Sequence, residues 1–366
     1  MQPATPDELP VQHLAWESLI PRIGMANRAI ARYDGLLSGL RNPDILLSPM
    51  TRQEAVLSSR IEGTQATLGD VLKAEAGEQP DEPARQLDIV EILNYNRALD
   101  HAERELRSRP FSLNLLREMH SILLDSVRGN SKGRGEVRKL QNWIGRPGTP
   151  MEEADFVPPA PQQLAQHLDA WERFYHAEAP DGLVQLAVVH AQFEFLHPFL
   201  DGNGRLGRIL VPLFLFEKRL LNRPAFYLSS YLEQHREIYV GRLRALGREP
   251  NAWQSWCEFF LDVVTAQAER NARQVQEVQS LYELYKQRTT TAMHSEFAVA
   301  MVDAIFEWPI FSTTQMSRRP GMPSRSAVLA LLDRMVEIGI LRVLRPARGQ
   351  RPQMWICDDL LAICEH

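Results

Sequence analysis

The chain has 366 residues, of which 24% are charged and 44% hydrophobic, and its formal net charge is −5 at pH 7. This length suffices for two or three domains, and the acidic balance excludes a global positive field that would attract nucleic acid. Three scattered cysteines, Cys257, Cys357 and Cys364, lack CxxC or Cys/His ligand spacing, which favours a reducing cytoplasm over a disulfide-linked scaffold.

The N-terminal third of the sequence has the apolar periodicity of helices, with positions repeated three and four residues apart. Ser112 precedes one such stretch and is predicted to cap it. The acidic, proline-bearing segment 76–84 predicts a loop. The predicted helices cover residues 14–40, 49–75, 86–106 and 112–127.

Nothing in the sequence indicates export or a membrane anchor. The start, MQPATPDELP, has neither the basic nor the apolar region of a secretory signal. The longest apolar run, Ile209 to Phe216, is too short to span a bilayer and contains Pro212. We therefore expect a cytoplasmic protein with no membrane partner.

A β-hairpin is predicted within residues 137–158. The runs LQNWI and ADFVP flank a connection rich in glycine and proline, which is a hairpin signal with a long loop. Helical periodicity then resumes, and a long polar stretch reaches about residue 290. The predicted helices here cover residues 161–178, 183–196, 205–220, 231–246 and 251–275.

The pattern changes from Phe297 onward. Three helical segments, beginning AVAMVDAIFEW, TTQMSRR and SRSAVLALL, precede two apolar runs, LRVL and QMWIC, that enclose a basic glycine- and proline-bearing tip. Helices followed by such a hairpin are typical of a winged helix. We therefore predict a domain boundary near residue 290.

The segment HPFLDGNGRLGR, residues 197–208, is unusually polar for a loop between two apolar helices. A plain turn would need one glycine and one capping residue. Here, glycines at a helix N-terminus permit close approach of phosphate oxygens to main-chain N–H groups. Arg205 and Arg208 can neutralise phosphates, Asp201 suits Mg²⁺, and His197 could accept a proton from a hydroxyl. The set predicts phosphoryl or nucleotidyl transfer.

This segment resembles the signature of the Fic family, H-x-F-x-[D/E]-G-N-G-R-x-x-R, at every defined position. The resemblance implies transfer of AMP from Mg·ATP to a protein hydroxyl, with His197 as general base and Asp201 as the Mg²⁺ ligand. Gly202 and Gly204 are retained, whereas the related Doc-type kinases replace them, which favours nucleotidyl transfer. The implied ATP-binding residues of the loop are Asp201, Gly202, Asn203, Gly204, Arg205, Leu206, Gly207 and Arg208.

The resemblance also assigns roles outside the loop. Members of the family carry a hairpin flap that pairs with the target segment by β-strand addition. The corresponding edge here comprises Ile144, Gly145, Phe156 and Val157. Tyr239 corresponds to a residue that borders the nucleotide base.

An inhibitory element is implied by SSRIEG, residues 58–63, which fits the family pattern [S/T]-x-x-x-E-[G/N]. Ser58 and Glu62 share one helical face, and Gly63 is suited to ending the helix. A Glu62 carboxylate beside Arg208 would form an ion pair with the guanidinium that should hold the γ-phosphate. We therefore expect Glu62 to border the ATP site and to restrain the enzyme.

The predicted fold is mainly α: a helical N-terminal region with the inhibitory helix (1–105), a Fic-type core with a β-hairpin flap (106–290) and a winged helix (291–366). The expected function is an autoinhibited protein adenylyltransferase that uses ATP and Mg²⁺. Its partners would be a protein with a Tyr, Thr or Ser hydroxyl, the chain itself, and a second copy in a homodimer.

Two alternatives stay open. The chain could be a nucleotide-sensing regulator that contacts DNA through basic residues of the winged helix, although protein contact or dimer packing would also explain that domain. It could also remove AMP from modified proteins, with Glu62 positioning water. The basic residues concerned are Arg318, Arg319, Arg325, Arg334, Arg345, Arg348 and Arg351.

Overall fold

The computed structural model describes residues 2–127, 133–145 and 148–365. Within them the chain forms α-helices and one small sheet, which confirms the predicted mainly α class. The helices are α1 Trp16–Gly39, α2 Pro43–Leu46, α3 Ser48–Ile61, α4 Leu68–Glu75, α5 Pro83–Leu106, α6 Leu113–Leu123, α7 Leu164–His176, α8 Gly182–Leu196, α9 Asn203–Glu217, α10 Ser229–Gln234, α11 Arg236–Ala245, α12 Ala252–Met293, α13 Ala298–Glu307, α14 Thr313–Arg318, α15 Arg325–Glu337 and α16 Asp358–Glu365. The strands are β1 Ile310–Ser312, β2 Arg342–Arg345 and β3 Met354–Ile356.

Helices α8 and α9 form the centre of the fold around the polar loop. Both are apolar on nearly every face, and most of their side chains are buried, as expected of helices that neighbours surround. Asp181 caps the start of α8 by accepting hydrogen bonds from the N–H groups of Leu183 and Val184. The two helices pack against each other, so the loop between them is held at both ends.

Several helix boundaries differ from those predicted. Residues 49–75 form two helices, because Gly63 adopts a φ of +107° after α3 and Thr67 starts α4 with a capping box that includes Asp70. Helix α12 continues through the polar stretch to Met293. Ser112 does cap α6, since its hydroxyl accepts a hydrogen bond from the N–H of Leu115.

The predicted hairpin is present as a single β-bridge in the described residues. The N–H of Ile144 donates to the carbonyl oxygen of Phe156 at 2.8 Å, and the reverse bond measures 3.1 Å. Two prolines, Pro150 and Pro158, limit the donors that a longer ladder would need. We use "flap" for residues 140–159, of which 146 and 147 lie outside the described residues.

The C-terminal segment has the predicted helix and hairpin order, with one added strand. β1 lies between α13 and α14, and the antiparallel sheet has the order β1–β3–β2. The winged helix inferred from the sequence remains a prediction. Sequence patterns did not predict β1, because three residues are too few for a periodicity to be read.

The chain divides into two compact units, each made of separate segments. The first comprises Met1–Asp34, Leu57–Gly63 and Asn94–Glu269, and the second comprises Gly35–Val56, Thr64–Leu93 and Arg270–His366. Four of the five unit borders fall inside helices, namely α1, α3, α5 and α12, and the fifth lies between Gly63 and Thr64, after the end of α3. The three consecutive domains inferred from the sequence remain a prediction. No helix in the described ranges is both long and apolar enough to cross a bilayer.

Candidate active site

His197 ends α8 and begins the polar loop of the first unit. It is the C-cap residue, with φ 44° and ψ 59°, and its N–H donates to the carbonyl of Phe193 at 3.0 Å. A left-handed backbone is uncommon outside glycine, so the surrounding structure must hold it. Gly202, with φ +78°, caps the start of α9. The loop thus turns through two left-handed residues and directs the N-terminus of α9 back toward His197.

The side chain of Asn203 braces this loop. Its carbonyl oxygen accepts the N–H of Phe199 at 2.9 Å, and its amide nitrogen donates to the carbonyl of the same residue at 2.8 Å. The residue is 1% exposed. Of the Asn203 groups, the main-chain N–H at the helix start is therefore the one better placed to meet a phosphate.

His120 on α6, which the sequence analysis did not single out, contacts the loop through a hydrogen bond and a stacked ring. The N–H of Gly135 donates to its Nδ1 at 2.9 Å, so Nε2 carries the proton and donates to the carbonyl of Asp201 at 3.0 Å. Its ring stacks on Phe199 with centroids 3.8 Å apart. Burial lowers the pKa of His120 to about 4, which keeps the ring neutral. The signal was a polar residue on the apolar face of a predicted helix.

Asp201 and Arg205 lie one helical turn apart at the start of α9. Oδ1 of Asp201 accepts the N–H of Gly202 at 2.7 Å and lies 3.6 Å from Nη2 of Arg205. Among the described residues, no group of three or more His, Cys, Asp or Glu side chains could hold a metal ion. A single carboxylate supplemented by substrate phosphates and water nevertheless suits Mg²⁺, so the donor set fits the predicted ion.

Arg208 is buried, and the predicted inhibitory helix α3 supplies its partners. Its Nε donates to the Ser58 hydroxyl and its Nη2 to the Ser58 carbonyl, both at 2.8 Å, and Nη2 also donates to Oε1 of Glu62 at 2.7 Å. The Arg208 side chain is 1% exposed, whereas that of Glu62 is 41% exposed. The ion pair therefore has a fixed arginine and a carboxylate that opens toward solvent.

Two glycines of α9 leave room for carboxylates. A Cβ on Gly204 would overlap Oε1 of Glu62, and a Cβ on Gly207 would overlap Oε1 of Glu194. These glycines are one helical turn apart on the helix that carries Arg208. Glu194, which the sequence did not single out, is thus a second carboxylate near the same guanidinium; its only signal was an acid within the apolar run QFEFL.

The electrostatics favour a neutral base beside a charged pair. Burial lowers the pKa of His197 to about 4, against a smaller opposing effect of the Glu62 charge. Burial alone would raise the pKa of Glu62, but the charge and hydrogen bond of Arg208 bring it below its ordinary value. At neutral pH the imidazole can therefore accept a proton while Glu62 stays ionised.

A cleft of about 250 Å³ opens beside these groups. Tyr239 lines this cleft but is only 3% exposed, and its hydroxyl contacts Nε2 of His190 at 2.9 Å. Its predicted contact with the nucleotide base would therefore use the aromatic ring. The cleft is lined by Ile61, Glu62, Ile144, Gly145, Asp155, Phe156, Glu194, Phe195, His197, Gly204, Arg208, Arg236, Tyr239, Val240, Leu243 and Arg244.

The predicted flap residues divide into two groups. Ile144 and Gly145 border the cleft and are partly or fully exposed. Phe156 also borders it but packs edge-on against Phe195, and Val157 is 1% exposed. Gly63 lies at the end of α3 with its positive φ, as predicted. Leu206 is fully buried in α9, so any contact it makes with ATP would use the main chain.

Comparisons with known proteins show which sequences and structures this chain resembles. A profile described as Fic/DOC family N-terminal matches residues 20–104, and one described as Fic/DOC family matches residues 110–215, together just over half of the chain. A Nematostella vectensis protein named protein adenylyltransferase Fic is 28% identical over 160 residues, which cover 42% of this chain and 35% of that protein.

Two further comparisons extend the likeness. An Aquifex aeolicus protein named a probable protein adenylyltransferase is 37% identical over 92 residues, 25% of this chain and 26% of its own. The chain thus matches about a third or less of the length of these two relatives. A crystal structure of a Fic family protein from Desulfovibrio desulfuricans superposes with a TM-score of 0.57 at 19% identity, covering 97% of this chain and 98% of that one. At this identity, the superposition establishes the fold alone.

Proposed function

The chain belongs to the Fic/DOC family, and on that premise we propose that it is an autoinhibited protein adenylyltransferase. It would transfer AMP from ATP to a hydroxyl side chain of a target protein, or of itself, and release pyrophosphate. The observation that carries this proposal is the Arg208–Glu62 ion pair at 2.7 Å, positioned beside a neutral His197 and over Gly204.

The transfer step needs one base and a set of groups that bind the phosphates, here called the phosphate cradle: the first N–H groups of α9 with Arg205 and Arg208. His197 accepts the proton of the target hydroxyl, whose oxygen then bonds to the α-phosphorus of ATP. The bond from that phosphorus to the bridging oxygen breaks, and its electron pair leaves with pyrophosphate. The first N–H groups of α9 face the phosphates, and Arg205 and Arg208 offset the charge of the leaving group. Mg²⁺ held by Asp201 would supply further charge compensation.

Inhibition follows from competition for one guanidinium. With Glu62 docked, Nη2 of Arg208 is already bonded to the carboxylate and to the Ser58 carbonyl. A γ-phosphate in the same place would meet like charge and an occupied donor. ATP would then bind weakly or with its α-phosphate out of line with the incoming hydroxyl.

The experiment compares incorporation of label from ATP into protein by the parent, Glu62→Gly, Glu62→Gly/His197→Ala and Glu62→Gly/Arg208→Ala. We expect Glu62→Gly to label itself or a lysate protein more strongly than the parent and both double variants to lose that gain. Label at the α-phosphate should transfer, and label at the γ-phosphate should not.

Three outcomes would contradict parts of the proposal. Transfer of γ-label would indicate a kinase. Equal or lower labelling by Glu62→Gly than by the parent would exclude inhibition by Glu62. Strong labelling by the His197 double variant would exclude that imidazole as the base.

Hydrolytic removal of AMP is a second candidate, because the Glu62 charge acts on His197 as well as on Arg208. A carboxylate near both groups could hold a water molecule against an AMP-modified hydroxyl. Incubating the parent with AMP-labelled product from Glu62→Gly tests this function. Release of AMP by the parent but not by Glu62→Gly would support removal.

Regulation through DNA has weaker support. Arg319 pairs with Glu307, Arg345 with Glu78 and Arg334 with Glu337, so three of the seven predicted cations have carboxylate partners inside the second unit. The exposed remainder is Arg318, Arg325, Arg348 and Arg351. A gel-shift titration with duplex DNA at two salt concentrations would reveal any phosphate contacts by its salt dependence.

A further inference from the structure

Arg138, two residues before the flap, is buried without a carboxylate partner among the contacts that the structure describes. The residue is 3% exposed. Every hydrogen bond described for its guanidinium ends on a main-chain carbonyl oxygen. Burial lowers its pKa to about 10, which leaves it charged at neutral pH. A buried cation held only by carbonyls is costly to maintain, so its location calls for a reason.

The carbonyls belong to two different parts of the active site. At the end of α8, Nε donates to His197 at 2.9 Å and Nη2 lies 3.5 Å from the oxygen of Leu196. At the two ends of the flap, Nη1 donates to Leu140 at 3.3 Å and Nη2 donates to Pro159. One planar side chain thus joins both ends of the flap to the residue that carries the base.

The contacts with α8 stabilise the C-terminal end of that helix. The last carbonyls of a helix lack intrahelical partners and carry its partial negative charge, which a cation stabilises. His197 also adopts a left-handed backbone, a conformation that is unfavourable for a non-glycine residue. The Nε bond to its carbonyl holds this backbone and, with it, the direction of the imidazole.

The flap contacts determine where a target segment would lie. The flap has a single described β-bridge, Ile144 to Phe156, so its own pairing gives little rigidity. Arg138 holds its ends, and its own N–H donates to the carbonyl of Pro198 at 2.9 Å. A target chain placed along the flap would therefore be placed relative to His197 by this residue.

We propose that Arg138 is a positioning residue that couples the flap to His197, so that a hydroxyl presented on the flap meets the imidazole at hydrogen-bond distance. The inference rests on the proposed adenylyl transfer, but the contacts themselves do not. Lysine cannot replace it, because one ammonium group lacks the planar fork that spans both sets of carbonyls.

The first arm of the test measures self-labelling and ATP affinity in the Glu62→Gly background. We expect Arg138→Lys to lower the labelling rate by about 100-fold, the effect of a misplacement of about 1 Å, while ATP affinity stays within experimental error. The phosphate cradle does not touch Arg138, so a parallel loss of ATP affinity would overturn the proposal, as would Arg138→Lys activity equal to that of Glu62→Gly alone.

The second arm uses amide hydrogen exchange and needs no activity. In Arg138→Lys, peptides covering residues 148–159 and 192–201 should lose protection together while other peptides keep it. The matched control is Arg248→Ala, which removes a bond from Nη2 to the flap carbonyl of Asp155 at 2.9 Å and should affect the flap peptide alone.

The labelling assay and the hydrogen-exchange measurement test the proposed function and the role of Arg138 separately. If Glu62→Gly transfers no AMP, the proposed function fails, and hydrogen exchange still decides whether Arg138 couples the flap to His197. A change in only one of the two peptides, or a general loss of protection across the chain, would overturn the coupling role.

Discussion

Gly204 and Gly207 differ in what a side chain would displace. An added methyl at Gly204 meets the tip of the half-exposed Glu62 side chain, which can move into solvent, and would lie 3.0 Å from Nη1 of the buried Arg208. The same methyl at Gly207 meets Glu194 and, at 3.3 Å, the ring of Phe193 inside the core. An added side chain at either position would therefore collide with a carboxylate, but only the carboxylate at Gly204 can move into solvent.

We predict that Gly207→Ala lowers the free energy of unfolding by about 1–3 kcal/mol, the usual effect of overpacking. Gly204→Ala should cost less than Gly207→Ala, because the half-exposed Glu62 side chain can move aside, and most of this cost should disappear when Glu62 is already glycine. Urea denaturation of these variants measures both effects, with Gly24→Ala, which has open space, as the control. Additive effects of Gly204→Ala and Glu62→Gly would show that they do not share one contact.

The buried carboxyl group of Glu194 makes the stability of the folded protein depend on pH. Burial raises its pKa from 4.5 to about 7; Arg208 opposes this shift and the Glu62 charge adds to it. The folded protein therefore holds a proton that the unfolded chain releases. The resulting stabilisation is complete below about pH 4.5 and is lost as the pH rises through 7.

Glu194→Gln should remove this dependence, because the carboxamide mimics the protonated acid at every pH. We predict that the thermal stability of the variant rises relative to that of the parent between pH 5 and pH 8. In the Glu62→Gly background the decline should end at a lower pH and be smaller, since one charge that raises the Glu194 pKa in the folded protein is gone. A melting-temperature difference that stays constant from pH 5 to pH 8 would show that Glu194 is already ionised.

At the scale of the element, α3 is held at its last turn by more than the ion pair. Nε of Arg236, on α11, donates to the carbonyl of Ile61 at 3.2 Å, at the negative end of the helix. We predict that Arg236→Ala raises self-labelling above the parent but below Glu62→Gly, because Ser58 and Glu62 still bind Arg208. Arg242→Ala, on the same helix, is the control. Labelling by Arg236→Ala equal to that of the parent would show that this contact does not contribute to inhibition.

Sequence patterns predicted helices well where a stripe of apolar residues was continuous and poorly where a local feature interrupted or extended it. The break between α3 and α4 depends on Gly63 and the Thr67 capping box, which a periodicity over 49–75 conceals. The final third of α12 is polar on much of its surface, so periodicity alone could not extend it to Met293.

The parts of the candidate site that sequence analysis singled out are those formed by residues close together in the chain. Residues 197–208 are contiguous, and Glu62 was recognisable by its spacing from Ser58. His120, Arg138 and Arg236 contact residues far along the chain, and Glu194 faces the neighbouring helix α9. Each is a single polar side chain in an ordinary helix or loop, so only the fold reveals these contacts.

At the scale of the whole molecule, the second unit combines early and late segments of the chain. Helix α2 packs on α13, and α4 packs on β1. The apolar side chains of α2 and α4 are buried, including Leu46, Leu68 and Leu72. Removing residues 291–366 would expose these side chains to water.

We predict that a chain ending at residue 290 unfolds at a lower temperature and binds a hydrophobic dye, and does not behave as an independent core. Differential scanning calorimetry and dye fluorescence measure this. A truncated chain with the parent melting temperature would instead favour the boundary inferred from the sequence.

Because the backbone of His197 is left-handed, the residue that replaces it matters when an inactive variant is used to capture an unknown target. Alanine there removes the base but leaves a residue that resists φ 44°. Asparagine also lacks a basic nitrogen, yet it tolerates this conformation better than other non-glycine residues. We expect Glu62→Gly/His197→Asn to bind ATP, keep the parent melting temperature and hold its target without modifying it. It would therefore serve as bait in affinity purification, unless its melting temperature falls to that of the alanine variant.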